Sequence, residues 1–432
     1  MPTEDEPSRG DTGIGDAVDA GSALDQPGDE TGAHRAAGDR RAFLAGGAGL
    51  AGAGVAAAGL AYLWRDDGDA ASTPPVATAP AGMPPGGWRD ATRDHGAAGT
   101  GEGDDAPALQ AAIDAAAAEG AGRLRGGIVH VGPGIYPLGA SLQMRTGVTL
   151  QGAGPGTVLQ LRSGVDAPAI VAEADPDGSP VAYVAIRSLT LDGSTGSQTN
   201  GRHGIAISSN NSGSQTPYTG SDSFPVIADV LVAYFGGHGI ALGIDPEGGE
   251  ANVRGARCFN VIAFECAKAA TDGDRSGFLV RCTDGALVAC EAAGCGGPGY
   301  DVVRANNRLE GCKGYFNQTE FRITGERNQL VGCQAQDGFG DGFVLGGPGS
   351  GLSDTSLVGC QADTNAGAGF RLTGVTASVV SGLTAFVRGD ASSDGPGVVL
   401  RGTSRCLLSG AVRGFPTAVD GDNPGGVTQL VT

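Results

Sequence analysis

A chain of 432 residues with 79 Gly, 40% apolar residues and 5% aromatics can bury a core, but only one made largely of small side chains. Glycine at this level without a G-X-Y period excludes collagen and suits a chain that turns every few residues. A net charge of −19 argues against a nucleic-acid partner, because phosphate binding needs a Lys/Arg surface. The same acidity repels a polyanion, so a polyuronate would have to meet a locally basic groove.

Residues 1–39 are rich in Asp, Glu, Gly, Ala and Ser and read as an acidic, disordered n-region. Arg40-Arg41-Ala42-Phe43-Leu44 then opens a stretch of Ala, Gly and Leu that ends at Trp64. Paired arginines, an aromatic two positions on and a mildly apolar stretch resemble a twin-arginine export signal over 40–64. That resemblance implies the twin-arginine translocase as a partner during export. Arg35, Arg40 and Arg41 precede the stretch while Asp66, Asp67 and Asp69 follow it, so the body is expected to be extracytoplasmic, secreted or held at the cell surface. Membrane contact is expected only through residues 44–64, if the segment is retained. Residues 65–88, with five prolines between Pro74 and Pro85, read as a linker.

Residues 89–432 read as one domain. Asp104-Asp105-Ala106-Pro107 predicts a helix start, with an Asp accepting free backbone N–H groups and Pro in the first turn. Leu109, Ala112, Ile113 and Ala116 form its apolar stripe. Gly126–Val131 follows as a strand, Gly132-Pro133-Gly134-Ile135-Tyr136 as a turn, and Gly147–Gly154 as a further strand and turn. This order, over residues 94–161, resembles the opening of the pectate-lyase-superfamily domain shared with rhamnogalacturonase- and epimerase-like proteins. The resemblance implies a β-helix whose first coil is capped by a short helix. It leaves function open, since the superfamily holds lyases, hydrolases, epimerases and phage tailspikes.

Internal repeats give the fold independently. A Gly followed by a large apolar residue opens a short strand at Gly204, Gly239, Gly277, Gly299, Gly342, Gly369 and Gly397, and Glu320-Phe321 fills the missing place. The steps are 35, 38, 22, 21, 22, 27 and 28 residues. A second strand recurs at Leu287–Cys290, Leu309–Cys312, Leu330–Cys333 and Leu357–Cys360. Short alternating runs between Gly and Asn/Asp turns are strands, and a circuit near 22 residues is one coil of a solenoid. The reading is all-β: a single-stranded right-handed parallel β-helix of about ten coils with an N-terminal capping helix. Cys290, Cys312, Cys333 and Cys360 then share one inward position; export would permit Cys258–Cys266 or Cys290–Cys295 disulfides, but the odd count and ladder spacing favour free thiols. Phe278, Tyr300, Phe321, Phe343 and Phe370 should stack in the core.

The residue before each strand opening lines one edge, and it is His203, His238 and Ser276 on three successive coils. The two histidines should be stacked neighbours, beside Arg202, Asp274 and Arg275. Long polar insertions at Ser208–Phe224 and Ile244–Ala256 fall on the same coils and could wall a groove. Gly236-Gly237-His238-Gly239-Ile240 resembles the G-H-G-I segment of the polygalacturonase family, but no N-T-D, D-D or R-I-K motif accompanies it. That activity is therefore not carried over. A hydrolase needs two carboxylates about 6.5–9.5 Å apart for inversion, for which Asp192, Asp245, Asp272 and Asp274 are candidates. A lyase needs a base for the proton α to a uronate carboxylate and a cation for the enolate. His203 or His238 could be that base. Arg202, Arg275 and Arg304 could bind substrate, and Asp272-Gly273-Asp274 could help hold Ca²⁺, although the W-x-D-H and R-x-P-x-x-R motifs of pectate lyases are absent. For each histidine the competing role is a turn residue whose ring closes a local hydrogen bond. The sequence thus points to an exported polysaccharide lyase or glycoside hydrolase, and alternatively to a surface β-helix that binds glycan or acts as a spacer.

Overall fold

A computed structural model describes residues 88–119, 126–194, 203–208, 223–243, 253–268, 275–389 and 391–432. The expected n-region, signal and most of the linker lie outside them, as do Arg40, Arg41, Arg202, Asp245, Asp272 and Asp274. The fold is a right-handed parallel β-helix. One sheet of 11 short strands, here sheet B, holds the repeated openings, and a 19-stranded sheet A holds the rest of each coil. Sheet B runs in register from Leu142 through Ile170, Ile205, Ile240, Phe278, Tyr300, Phe321, Phe343, Phe370 and Val398 to Val419. Eleven rungs replace the expected ten or so. The first strand, Trp88–Asp90, pairs with Ile128–His130, one residue before the expected domain start.

The capping helix forms at Ala106–Ala117 and buries Leu109, Ala112, Ile113 and Ala116. Its start follows the expectation at Asp104 and Pro107, and Asp105 adds a contact beyond it. Asp104 Oδ1 accepts the Ala106 N–H at 3.1 Å, while Asp105 turns back to accept from Ala98 and Gly99. Asp105 thereby ties the incoming chain to the cap, a tertiary contact that local capping rules do not contain. The expected turn at 132–136 is shorter, because Gly134–Leu138 is already a strand paired with Thr157–Leu161.

Stacking repeats the same residue types at the inter-strand spacing of roughly 4.8 Å. The five aromatics from Phe278 to Phe370 lie with centroids 4.6 to 4.9 Å apart and planes within 8° of parallel. All nine cysteines are free and buried. Burial lifts the thiols of Cys266 and Cys282 to about 12, so they are inert apolar filling. Successive coils bend sheet A at one left-handed residue, Ser188, Asp229, Asn260 and Ala289 and then Gly311, Gly332, Gly359 and Gly382. A Cβ at Gly311, Gly332 or Gly359 would meet nothing within 4 Å. The backbone conformation, not space, is what favours Gly there.

One coil departs from the repeat. Glu320 occupies the place of the opening glycine and is fully buried. Its carboxylate accepts from the Asn317 backbone and side chain, and it fits because Gly314 stands where neighbouring coils carry Ala292 and Ala335. Burial pushes its carboxyl up to about 8, against which the Asn317 bonds act. With the folded value above the unfolded one, the native state holds an extra proton from about pH 4.5 to 8, so stability should fall as pH rises through that window. Glu320→Gln is expected to remove the decline, raising the thermal midpoint at pH 9 relative to the parent chain while matching it at pH 5. Parallel midpoint curves for the two proteins would show that the buried carboxyl does not titrate this way.

Candidate functional site

The expected histidine stack forms where the chain enters sheet B. The His203 and His238 rings lie 5.0 Å apart at 24°. The His238 backbone N–H donates to His203 Nδ1 at 2.9 Å, and the Ser276 N–H donates to His238 Nδ1 at 2.9 Å. Each ring therefore closes the backbone of the next coil, the local role weighed against catalysis. Burial, and then the nearby Arg275 charge, lowers His203 to about 4. Burial, His203, Arg275 and Arg281 hold His238 well below the usual imidazole range. Both rings are neutral near pH 7. With Nδ1 accepting, the ring proton is assigned to Nε2, so each imidazole faces any ligand as a donor and not as a base.

Two arginines bracket the third coil of this stack. Arg275 precedes Ser276, and Arg281 follows the strand Phe278–Val280 with its backbone N–H bonded to Leu242 O at 2.8 Å. Arg275 Nη1 and Arg281 Nε are buried and make no hydrogen bond among the described residues. A buried guanidinium N–H without a partner costs free energy that an anionic ligand would recover. On the next two coils the outward positions of sheet B carry Asp301 and Arg322, joined by two bonds of 2.9 Å. Asp301 is buried, and its register partner on the Arg275–Arg281 coil is Leu279. The preceding outward positions, Val171, Ala206 and Ala241, are small or apolar and buried. The charged part of this face thus begins at Arg275.

The other expected residues are not gathered here. Asp192 ends the strand Ala185–Asp192 on sheet A, where it accepts from Gln160 Nε2 and the Ser194 N–H at 2.9 and 2.8 Å. It closes a turn. Arg304 is exposed beyond the far end of the strand Pro298–Val302, away from the histidine edge. Among the described residues no group of three His, Cys, Asp or Glu could hold a metal ion, and the expected Ca²⁺ pair Asp272 and Asp274 lies outside them. Arg281, Asp301 and Arg322 were missed by sequence reasoning. Their signal was present, a charge at the outward place of Gly299-Tyr300-Asp301-Val302 and Phe321-Arg322-Ile323, but nothing in the spacing joins them to His238.

Comparison with known proteins agrees with this architecture. Residues 88–243 match the family described as rhamnogalacturonase A/epimerase, pectate lyase-like. The chain is 41% identical over 104 residues to mannuronan C5-epimerase AlgE3 of Azotobacter vinelandii, and 38% identical over 109 residues to AlgE4 of the same organism. Each alignment takes in 23% of this chain, and only 6% and 19% of those proteins, so the chain spans a small part of the relatives it matches. The fold is shared with the A-module of the A. vinelandii epimerase AlgE6, at a TM-score of 0.57 and 19% identity, over 79% of this chain and 97% of that one. It is shared equally with the tailspike of E. coli bacteriophage HK620, at a TM-score of 0.57 and 14% identity over 76% and 61%.

Proposed function

We propose that this protein is an exported enzyme that modifies a uronate-containing polysaccharide along the outer face of sheet B, from His203 to Arg322. The observation that carries the reading is the pair of buried guanidinium nitrogens of Arg275 and Arg281, without a hydrogen-bond partner among the described residues, beside two neutral histidines. A uronate carboxylate satisfies such N–H groups with charge-assisted bonds. When a base takes the proton α to that carboxylate, the C–H electron pair passes onto the carboxylate oxygens as an enolate, and cationic donors held beside them stabilise it most. From that enolate, return of a proton to the opposite face inverts C5, and loss of the substituent on C4 cleaves the chain. The two outcomes share the cationic site and differ only in the second step.

The likeness to proteins named mannuronan C5-epimerases favours inversion over the lyase and hydrolase reactions drawn from the sequence. A hydrolase is further disfavoured because Asp301, the buried carboxylate on this face among the described residues, is spent on Arg322. The arginine pair Arg40-Arg41 and the apolar stretch after it support export. Incubating the full chain with polymannuronate, polyguluronate and pectate, with and without Ca²⁺, tests the reading. Proton NMR should show inverted C5 centres, and ultraviolet absorbance would reveal unsaturated ends if elimination wins. New reducing ends without either signal would replace the proposal with hydrolysis, and no change in any polymer would favour a spacer.

A further inference from the structure

We propose that Tyr183 and Phe224 form a stacking platform for a sugar ring at one border of sheet B, a binding site separate from the arginine cluster; this rests on the polysaccharide reading above. Where each coil leaves sheet B for sheet A, one residue adopts the left-handed conformation. In chain order the ladder begins Gly147, Tyr183, Phe224, Gly255, Asp284 and Asn306. The backbone bonds confirm the equivalence, since each donates its N–H to the residue just before its counterpart on the next coil: Tyr183 to Ser223 O and Phe224 to Arg254 O, at 2.7 and 3.0 Å.

Gly, Asp and Asn are the inexpensive occupants of such a position, and a bulky aromatic is a costly one. This chain places two on successive coils, at φ 58° and 37°. Their rings stack at 5.8 Å and 14°. Phe224 lies over Gly255, where a Cβ would come 2.3 Å from its ring. Gly255 thus leaves room for Phe224, and Phe224 supports Tyr183. The outcome for folding is poor: Tyr183 is 57% exposed, while the core aromatics of sheet B are fully buried. Of the four left-handed aromatics among the described residues, Phe224, Tyr234 and Phe316 are partly buried, each against a neighbouring ring, and Tyr183 alone is exposed.

At Tyr183, strain that gains little burial points to a use outside the fold. A rigid aromatic face with a hydroxyl at its rim matches the apolar C–H face of a pyranose and one of its hydroxyls. Polar groups for the sugar's edge stand on the next coils, where Arg254 Nε pairs with Asp284 at 2.7 Å. In sequence, Phe224 is the last residue of the long polar insertion Ser208–Phe224. The platform stands at the corner where the coils pass from sheet B to sheet A, two residues before the strands Ala185–Asp192 and Val226–Ala233.

The test is binding of the full chain to polymannuronate by titration calorimetry. Tyr183→Ala should weaken binding about 5- to 10-fold, the scale of one aromatic stacking contact, while Tyr183→Phe should bind within twofold of the parent. Tyr183→Gly should weaken binding as Ala does, yet unfold at the same temperature or higher, because it relieves the left-handed strain. A Tyr183→Gly protein that unfolds earlier and binds normally would make Tyr183 a structural residue and overturn the platform. Equal binding by parent and Tyr183→Ala would also overturn it, leaving the arginine site and the polysaccharide reading intact. If the parent binds neither polymannuronate nor pectate, the polysaccharide reading fails and the platform fails with it.

Discussion

Arg281→Ala is expected to lower turnover of a uronate polymer by about 100-fold or more, the loss typical of removing one donor from a site where negative charge develops. The Arg281 Nε is buried without a hydrogen-bond partner among the described residues, so a substrate carboxylate would complete its bonding. Removing it should leave the fold intact. The backbone N–H of residue 281 still reaches Leu242 O, and the side chain supports no ion pair among the described residues. The thermal midpoint should stay within a few degrees of the parent or rise, because an unsatisfied buried donor has gone. Arg281→Lys keeps the charge but not the planar fork, and should recover only part of the rate. A variant with parental turnover would dissociate the arginine pair from the chemistry. One with lost turnover and a collapsed midpoint would reassign Arg281 to structure. Steady-state rates on polymannuronate together with a melting curve separate these results.

Phe321→Ala should cost about 3–5 kcal/mol, the usual range for emptying a buried aromatic site. The ring sits between Tyr300 and Phe343 at 4.6 and 4.8 Å, so truncation removes both stacking partners and leaves a cavity in the middle of the column. Neither neighbour can slide in, because the coil spacing fixes each ring and the Tyr300 hydroxyl is tied to Cys290 O at 2.7 Å. Phe321→Leu should cost clearly less. Because a solenoid gains stability coil by coil, the loss should show as earlier unfolding of the central coils, read by denaturant melts or amide exchange. A cost below about 1 kcal/mol would mean that the column is filler and that the Cys and Leu ladders carry the coil.

The second prediction rests on what the chain announces in one dimension. An aromatic recurring every 21 to 27 residues from Phe278 to Phe370 can bury its face only by stacking on its neighbours. The column from Phe278 to Phe370, the cysteine ladder and the His203–His238 stack were therefore legible from position within the repeat. Even Glu320 was visible as the break in the pattern. Its accommodation by Gly314 was not, because that contact depends on how the two strands of one coil face each other.

The first prediction rests on what one dimension cannot give. Repeat position placed Arg275 beside the histidines, but Arg281, Asp301 and Arg322 lie at other places within their coils. Their relation to the site depends on which side chains turn outward and on coils whose lengths vary from 21 to 38 residues, so sequence offset gives no register. Asp192 shows the converse, a carboxylate that composition offered to the site and local geometry spent on Gln160 and Ser194. The sequence by itself determined the solenoid, its core ladders and the edge where the histidines stack, because burial enforces a period that can be read along the chain. Which charges remain unpaired on the outer face was decided only by the tertiary structure, because pairing across coils depends on distances that no period encodes.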